Sequence, residues 1–198
     1  VIGLGDPERR DALSELVNIG MGQAGDSLAR LFDTFIQLSI PKLTIVQPAQ
    51  VADAITSMIG TEPVVAVRQA FSSRIRGEAL AIYPVTGCDA LADLVGYPDV
   101  SSDELLLEIS NVLIGACVGA LASQFSLELC FSPPSILKRK ATTTELLDTQ
   151  SVPWQNALLA EVNFRVADRP FCCHLLTFWP DESISVLLHA VDEFLAQL

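Results

Sequence analysis

Residues 11–22 read DALSELVNIGMG and residues 104–115 read ELLLEISNVLIG. Laid over one another, Glu15 meets Glu108, Asn18 meets Asn111 and Gly22 meets Gly115, each pair 93 positions apart. The same offset of 93 carries Leu28 onto Leu121, Phe32 onto Phe125, Ser39 onto Ser132 and Pro41 onto Pro134. It also lays VVAVRQAF (64–71) over ALLAEVNF (157–164). A fixed offset held at so many positions marks an internal repeat. The 198 residues read as one domain, 1–198, made of two tandem copies at about 8–97 and 101–198.

Each copy repeats the same order of elements. A long helical pattern comes first, about 9–36 and 102–127, and is expected to stop before a proline, since the residue ahead of proline resists helical angles. Short β-branched runs follow, PKLTIVQP (41–48) and PSILKRKATTT (134–144). Two pairs of strands come next: VVAVRQAF with GEALAIYPV (77–85), and ALLAEVNFRV (157–166) with PFCCHLLTFWP (170–180). Shorter helices are expected around 48–59, CDALADLVG (88–96) and SISVLLHAVDEFLAQL (183–198). The boundary between copies falls in GYPDVSSD (96–103), whose serines and aspartate suit the start of the second long helix.

On a helix advancing about 100° per residue, Asp11, Glu15, Asn18 and Gly22 fall within an arc of about 60°. Leu13, Leu16, Val17, Ala24, Leu28, Leu31 and Phe35 gather on the other side. The second helix repeats the stripe with Glu104, Glu108, Asn111 and Gly115. A carboxylate and a carboxamide at i and i+3 point to one external spot. Gly22 and Gly115 leave that spot uncrowded one turn on. Polar residues on an exposed helix face are ordinary. These are kept in both copies while most other surface positions differ, and asparagine is a mediocre helix former. The stripe therefore reads as functional.

Composition excludes much else. Lys and Arg number 12 against 24 Asp and Glu, a formal charge of −12, which argues against nucleic acid and against an anionic membrane surface. The compact basic run Lys138-Arg139-Lys140 reads as a solvated strand end. Cys88, Cys117, Cys130, Cys172 and Cys173 are odd in number and form no CxxC, so neither a disulfide framework nor a zinc site follows, and a reducing cytoplasmic setting is expected. His174 and His189 lack ligand spacing. No signal peptide is legible at the start. ISNVLIGACVGALASQFSL (109–127) is uncharged over nearly a membrane-spanning length, but Ser110, Asn111, Ser123 and Gln124 within it favour a buried helix and no membrane span. Gly20-Met21-Gly22-Gln23-Ala24-Gly25 is a literal GxGxxG, yet it sits inside a helix rather than at a strand-to-helix turn, so no dinucleotide is expected.

The spacing Asp11-x3-Glu15-x2-Asn18-x22-Pro41 resembles the signature of the CheC/CheX/FliY phosphatases, which dephosphorylate the chemotaxis response regulator CheY. Glu108-x2-Asn111-x22-Pro134 repeats it, with Glu104 where the first copy has Asp11. Two copies in one chain are similar to CheC. The resemblance implies an α+β fold of two layers with pseudo-twofold symmetry, the two long helices packed side by side over antiparallel β-strands, stripes outward. It implies hydrolysis of an aspartyl phosphate held with Mg²⁺ and a lysine that the receiver itself supplies, so the chain needs no cofactor or metal of its own. Asn18 and Asn111 would position the in-line water, since a carboxamide offers both donor and acceptor. Glu15 and Glu108 would contact the receiver's lysine, with Asp11, Gly22, Glu104 and Gly115 as docking-surface neighbours. The implied partners are a phosphorylated CheY-like regulator and the deamidase CheD. A FliM-like flagellar switch scaffold without catalysis is the alternative; both Glu-Asn pairs, and an end at Leu198 without a further switch domain, speak against it.

Overall fold

The computed structural model describes residues 6–40, 42–85, 101–142, 145–146, 156–166 and 172–196. Their order is α1 (Pro7–Phe32), β1 (Ile36–Leu38), β2 (Lys42–Val46), α2 (Pro48–Ile59), β3 (Val64–Ser72), β4 (Arg76–Pro84), α3 (Ser102–Gln124), β5 (Cys130–Phe131), β6 (Ser135–Ala141), β7 (Ala157–Val166), β8 (Cys172–Pro180) and α4 (Asp181–Leu195). The fold is α+β. The helix expected at 88–96 and most of the 96–103 boundary lie outside the described residues.

The long helices begin at ordinary caps. Asp6 accepts from the N–H of Glu8 at 3.1 Å with Pro7 in the first turn, and Ser101 Oγ accepts from the N–H of Glu104 at 3.3 Å. Their ends differ from expectation. Asp33 (φ 46°) and Ser126 (φ 53°) turn left-handed, and Thr34 and Leu127 donate back to the carbonyls of Ala29 and Ala122 at 3.2 and 3.0 Å. The helices thus stop at residues 32 and 124, well ahead of Pro41 and Pro134. Phe35 lies past the turn and is 65% exposed, not on the helix's apolar face.

The eight strands form one antiparallel sheet in the order β1-β7-β8-β4-β3-β5, with β2 also on β7 and β6 also on β3. Exchanging each strand of the first half with its counterpart in the second returns the same order reversed. The register obeys the same exchange. Shifting partners by 93 turns Leu38↔Phe164 into Phe131↔Phe71, Lys42↔Glu161 into Ser135↔Arg68 and Leu43↔Ala160 into Ile136↔Val67, and every one of these pairs is present. Each half's leading strands therefore lie on the other half's hairpin. The agreement breaks at a register shift in β6 beyond Val67.

Alternation divides the sheet into two faces. On one, Val67, Phe71, Tyr83, Val162, Leu175 and Trp179 meet Leu13, Val17 and Leu28 of α1, Ile109, Leu113 and Val118 of α3, and Leu187 of α4. On the other, Val51 and Ile55 of α2 meet Val64, Ala66, Leu80, Ile82 and Leu176. The strands thus carry helices on both sides, and two layers understate the arrangement. α1 and α3 pack directly together: a Cβ on Gly20 would sit 3.0 Å from Leu121 Cα, and Gln124 Nε2 donates to Gln23 Oε1 at 3.1 Å. By length and hydropathy α3 could cross a membrane, but Leu105, Leu106, Ile109, Leu113, Ile114 and Leu121 are buried within the protein.

Candidate functional site

The stripe on α1 faces outward. Asp11, Glu15, Asn18 and Gly22 are all exposed, while Ala12, Leu13, Leu16 and Val17 between them are buried. Asp11, Glu15 and Asn18 make no side-chain hydrogen bond or ion pair with any described residue. A Cβ built on Gly22 meets nothing within 4 Å, so the chain itself does not require glycine there. The three glycines of the GxGxxG have separate surroundings inside α1: Gly20 against α3, Gly25 against Leu38, Gly22 against open space.

On α3, Glu104, Glu108 and Asn111 are exposed and Gly115 is half-buried, with open space at its Cβ position. Glu104 is engaged in the cap: Ser101 Oγ donates to its Oε2 at 3.1 Å and accepts from its N–H. Asp103 is gripped through both carboxylate oxygens by the Arg139 guanidinium from β6, which holds its pKa below the usual carboxylate range. Glu108 makes no side-chain contact of this kind with a described residue.

Asn111 is held. Gln69 of β3 donates through Nε2 to Asn111 Oδ1 at 2.7 Å and to the backbone carbonyl of Ser132 at 2.8 Å. The residue before Asn111 is pinned as well, Ser110 Oγ lying 2.7 Å from the hydroxyl of Tyr83 in the core. The alternation of VVAVRQAF carries a signal for Gln69 that the helical stripe does not: it is the polar member of the inward series Val65, Val67, Gln69, Phe71.

Ser39 and Ser132 tie the strands that follow the stripe helices to β7 and β3 in a matched way. The N–H of Ser39 donates to the carbonyl of Asn163 at 2.9 Å, and the N–H of Asn163 donates to Ser39 Oγ at 2.9 Å. Ser132 makes the same two bonds with Ala70, at 2.9 and 3.0 Å. Each serine clamps an edge where the strand is interrupted between β1 and β2, or between β5 and β6. Pro134 stands at the second break, where a residue without N–H forfeits no ladder bond. Pro41 lies outside the described residues.

His174 and the cysteines sit elsewhere. His174 is partly buried on β8, Nδ1 2.5 Å from Asn163 Oδ1, and burial pushes its pKa down. Cys117, Cys130, Cys172 and Cys173 are free thiols, and burial pushes Cys117 up to about 12. Among the described residues no three His, Cys, Asp or Glu side chains cluster as metal ligands would.

The sequence profile of the CheC-like family matches residues 8–45, the span that carries the first Glu-Asn pair and the first clamp. The chain is 25% identical over 166 residues to the flagellar motor switch phosphatase FliY of Bacillus subtilis, covering 79% of this chain and 42% of FliY. It is 25% identical over 139 residues to the CheY-P phosphatase CheC of the same organism, covering 65% of this chain and 66% of CheC. The chain thus spans less than half of the FliY relative and about two thirds of the CheC relative. In fold it is similar to Thermotoga maritima FliY (TM-score 0.64, 16% identity, 95% of this chain and 98% of that one). It is also similar to the FliM middle domain of Helicobacter pylori (TM-score 0.62, 10% identity, 93% and 99%).

Proposed function

We propose that this chain is a phosphatase acting on the aspartyl phosphate of a CheY-type response regulator, through two Glu-x-x-Asn sites on α1 and α3. The observation that carries this reading is the pair of exposed stripes whose Glu15, Asn18 and Glu108 have no described partner within the chain. Side chains left unengaged on a rigid helix are available to another surface. The CheC-like match and the two named phosphatase relatives support the same class.

In this reading the receiver contributes Mg²⁺ and its own lysine, and the chain contributes position. Asn18 and Asn111 set a water in line with the scissile P–O bond, which is most of what phosphoryl transfer asks of a protein. Glu15 and Glu108, one turn N-terminal on the same face, take the receiver's lysine and fix the register of the docked helix. Gly22 and Gly115 let the receiver's backbone approach. The symmetric register of the sheet and the offset of 93 support two sites that arose by tandem duplication. Partners are the phosphorylated receiver and, by the same resemblance, CheD. A cytoplasmic location belongs to this reading, supported by thiols that are free among the described cysteines.

The likeness to the FliM middle domain favours a second reading, a scaffold that binds a receiver without catalysis. Phosphate loss from a phosphorylated CheY-type receiver separates the two. Under the phosphatase reading, added protein speeds the loss and Asn18→Ala with Asn111→Ala returns it to the receiver's own rate. Binding without any acceleration by the parent protein establishes the scaffold instead.

A further inference from the structure

Asn18 and Asn111 occupy matched positions, yet what lies beneath them differs. Under Asn111 is Gln69, 1% exposed, whose Nε2 bridges Asn111 Oδ1 and the Ser132 carbonyl. A backbone carbonyl only accepts, so the –NH₂ of Gln69 must face it, and the same –NH₂ then meets Asn111 through its oxygen. The sense of the Asn111 carboxamide is thereby decided: Oδ1 is held inward and Nδ2 is left for the outside. At the matched places under Asn18 stand Val162 and Val17, both buried, where the site around Asn111 has Gln69 and Ser110.

Gln69 is an expensive residue in this place. Its Oε1 is buried without a partner among the described residues, a cost that valine avoids at the matched position. The benefit that offsets it lies in the two bonds of Nε2.

We infer that Gln69 is a positioning residue for Asn111 and makes the two sites unequal: the second is preorganised, with Asn111 Nδ2–H presented to the incoming phosphoryl group and its water, and the first is not. This rests on the phosphatase reading above. A carboxamide already fixed in rotamer and sense loses less freedom when the receiver docks, so more encounters begin in the reactive geometry. The unanchored Asn18 must be ordered each time.

Gln69→Met keeps the side chain's length and removes both donors, and is read in two one-site backgrounds. In Asn18→Ala protein, which retains the second site, it should lower kcat for receiver dephosphorylation about tenfold with little change in KM. In Asn111→Ala protein, which retains the first, the further loss should stay within about twofold, the non-additivity that a shared function requires. Equal losses in both backgrounds would mean a merely structural role and overturn the inference, as would no loss in the first. A second readout does not depend on turnover. The ¹⁵N order parameter of the Asn111 side-chain amide should fall in Gln69→Met, and should exceed that of Asn18 in the parent. If the amide loosens but the parent never accelerates phosphate loss, positioning stands and the phosphatase reading fails. If the parent is active and the amide is unmoved by Gln69→Met, the positioning role is wrong.

Discussion

Gly22 and Gly115 set a small cost against an apparent lack of need. Neither adopts positive φ, and open space surrounds the place a Cβ would occupy. Glycine within a helix is less favourable than alanine by about 1 kcal/mol. Gly20, by contrast, lies against the backbone of α3 and has a packing reason to be small. Gly22→Ala and Gly115→Ala should each raise stability by about 0.5–1 kcal/mol in urea unfolding. Under the phosphatase reading the same substitutions should slow receiver dephosphorylation, because the added methyl stands where the receiver's backbone approaches. A gain in stability with unchanged turnover would remove these glycines from the docking surface. Asp103 and Glu104 show how far the stripe was legible residue by residue. Spacing placed Glu104 on the stripe, but a residue three after a serine cap is also where a capping partner belongs, and that contact is present.

Among the elements, the hairpins and helices follow from pattern because each carries its own period over many residues. β1 and β5 were not legible. Three and two residues long, they exist because β7 and β3 offer them an edge, and Ser39 and Ser132 clamp them there. The helices end earlier than the pattern suggests for a related reason: Asp33 and Ser126, not glycines, supply the left-handed turn that glycine usually signals. The β7–β8 pair carries a pH dependence. Burial, and then the charge of Arg165, draw the His174 pKa below the ordinary 6.5. The unfolded chain takes up a proton near that pH while the folded chain resists it. This histidine's contribution is therefore whole above pH 6.5 and shrinks as pH falls below it. Urea midpoints between about pH 7.5 and about pH 5.5 should drop less in His174→Gln than in the parent; an equal drop would assign the slope to other groups.

At the scale of the molecule, the two halves are not two folding units. β1 and β2 pair with β7, β5 and β6 pair with β3, and β4 pairs with β8 across the middle, so every sheet contact outside the hairpins joins one half to the other. Unfolding by urea should be one transition, coincident by circular dichroism and by tryptophan fluorescence, for Trp179 lies in the shared core. A fragment holding only residues 1–97 should lack that cooperative transition. Two separated transitions in the whole chain would contradict an interlocked sheet. The offset of 93 relates the halves along the chain, while the crossing of strands between them depends on which edges are vacant in three dimensions. For the same reason the stripe residues share one helical period, whereas the alternation of β3 marks Gln69 only as an inward polar residue and does not tie it to Asn111, forty-two positions away. The most direct measurement is the rate of phosphate loss from a phosphorylated CheY-type receiver with the chain present in substoichiometric amount. The parent should turn the receiver over, and with Asn18→Ala plus Asn111→Ala the phosphate should be lost at the receiver's own rate; a double variant as fast as the parent would contradict the two-asparagine mechanism.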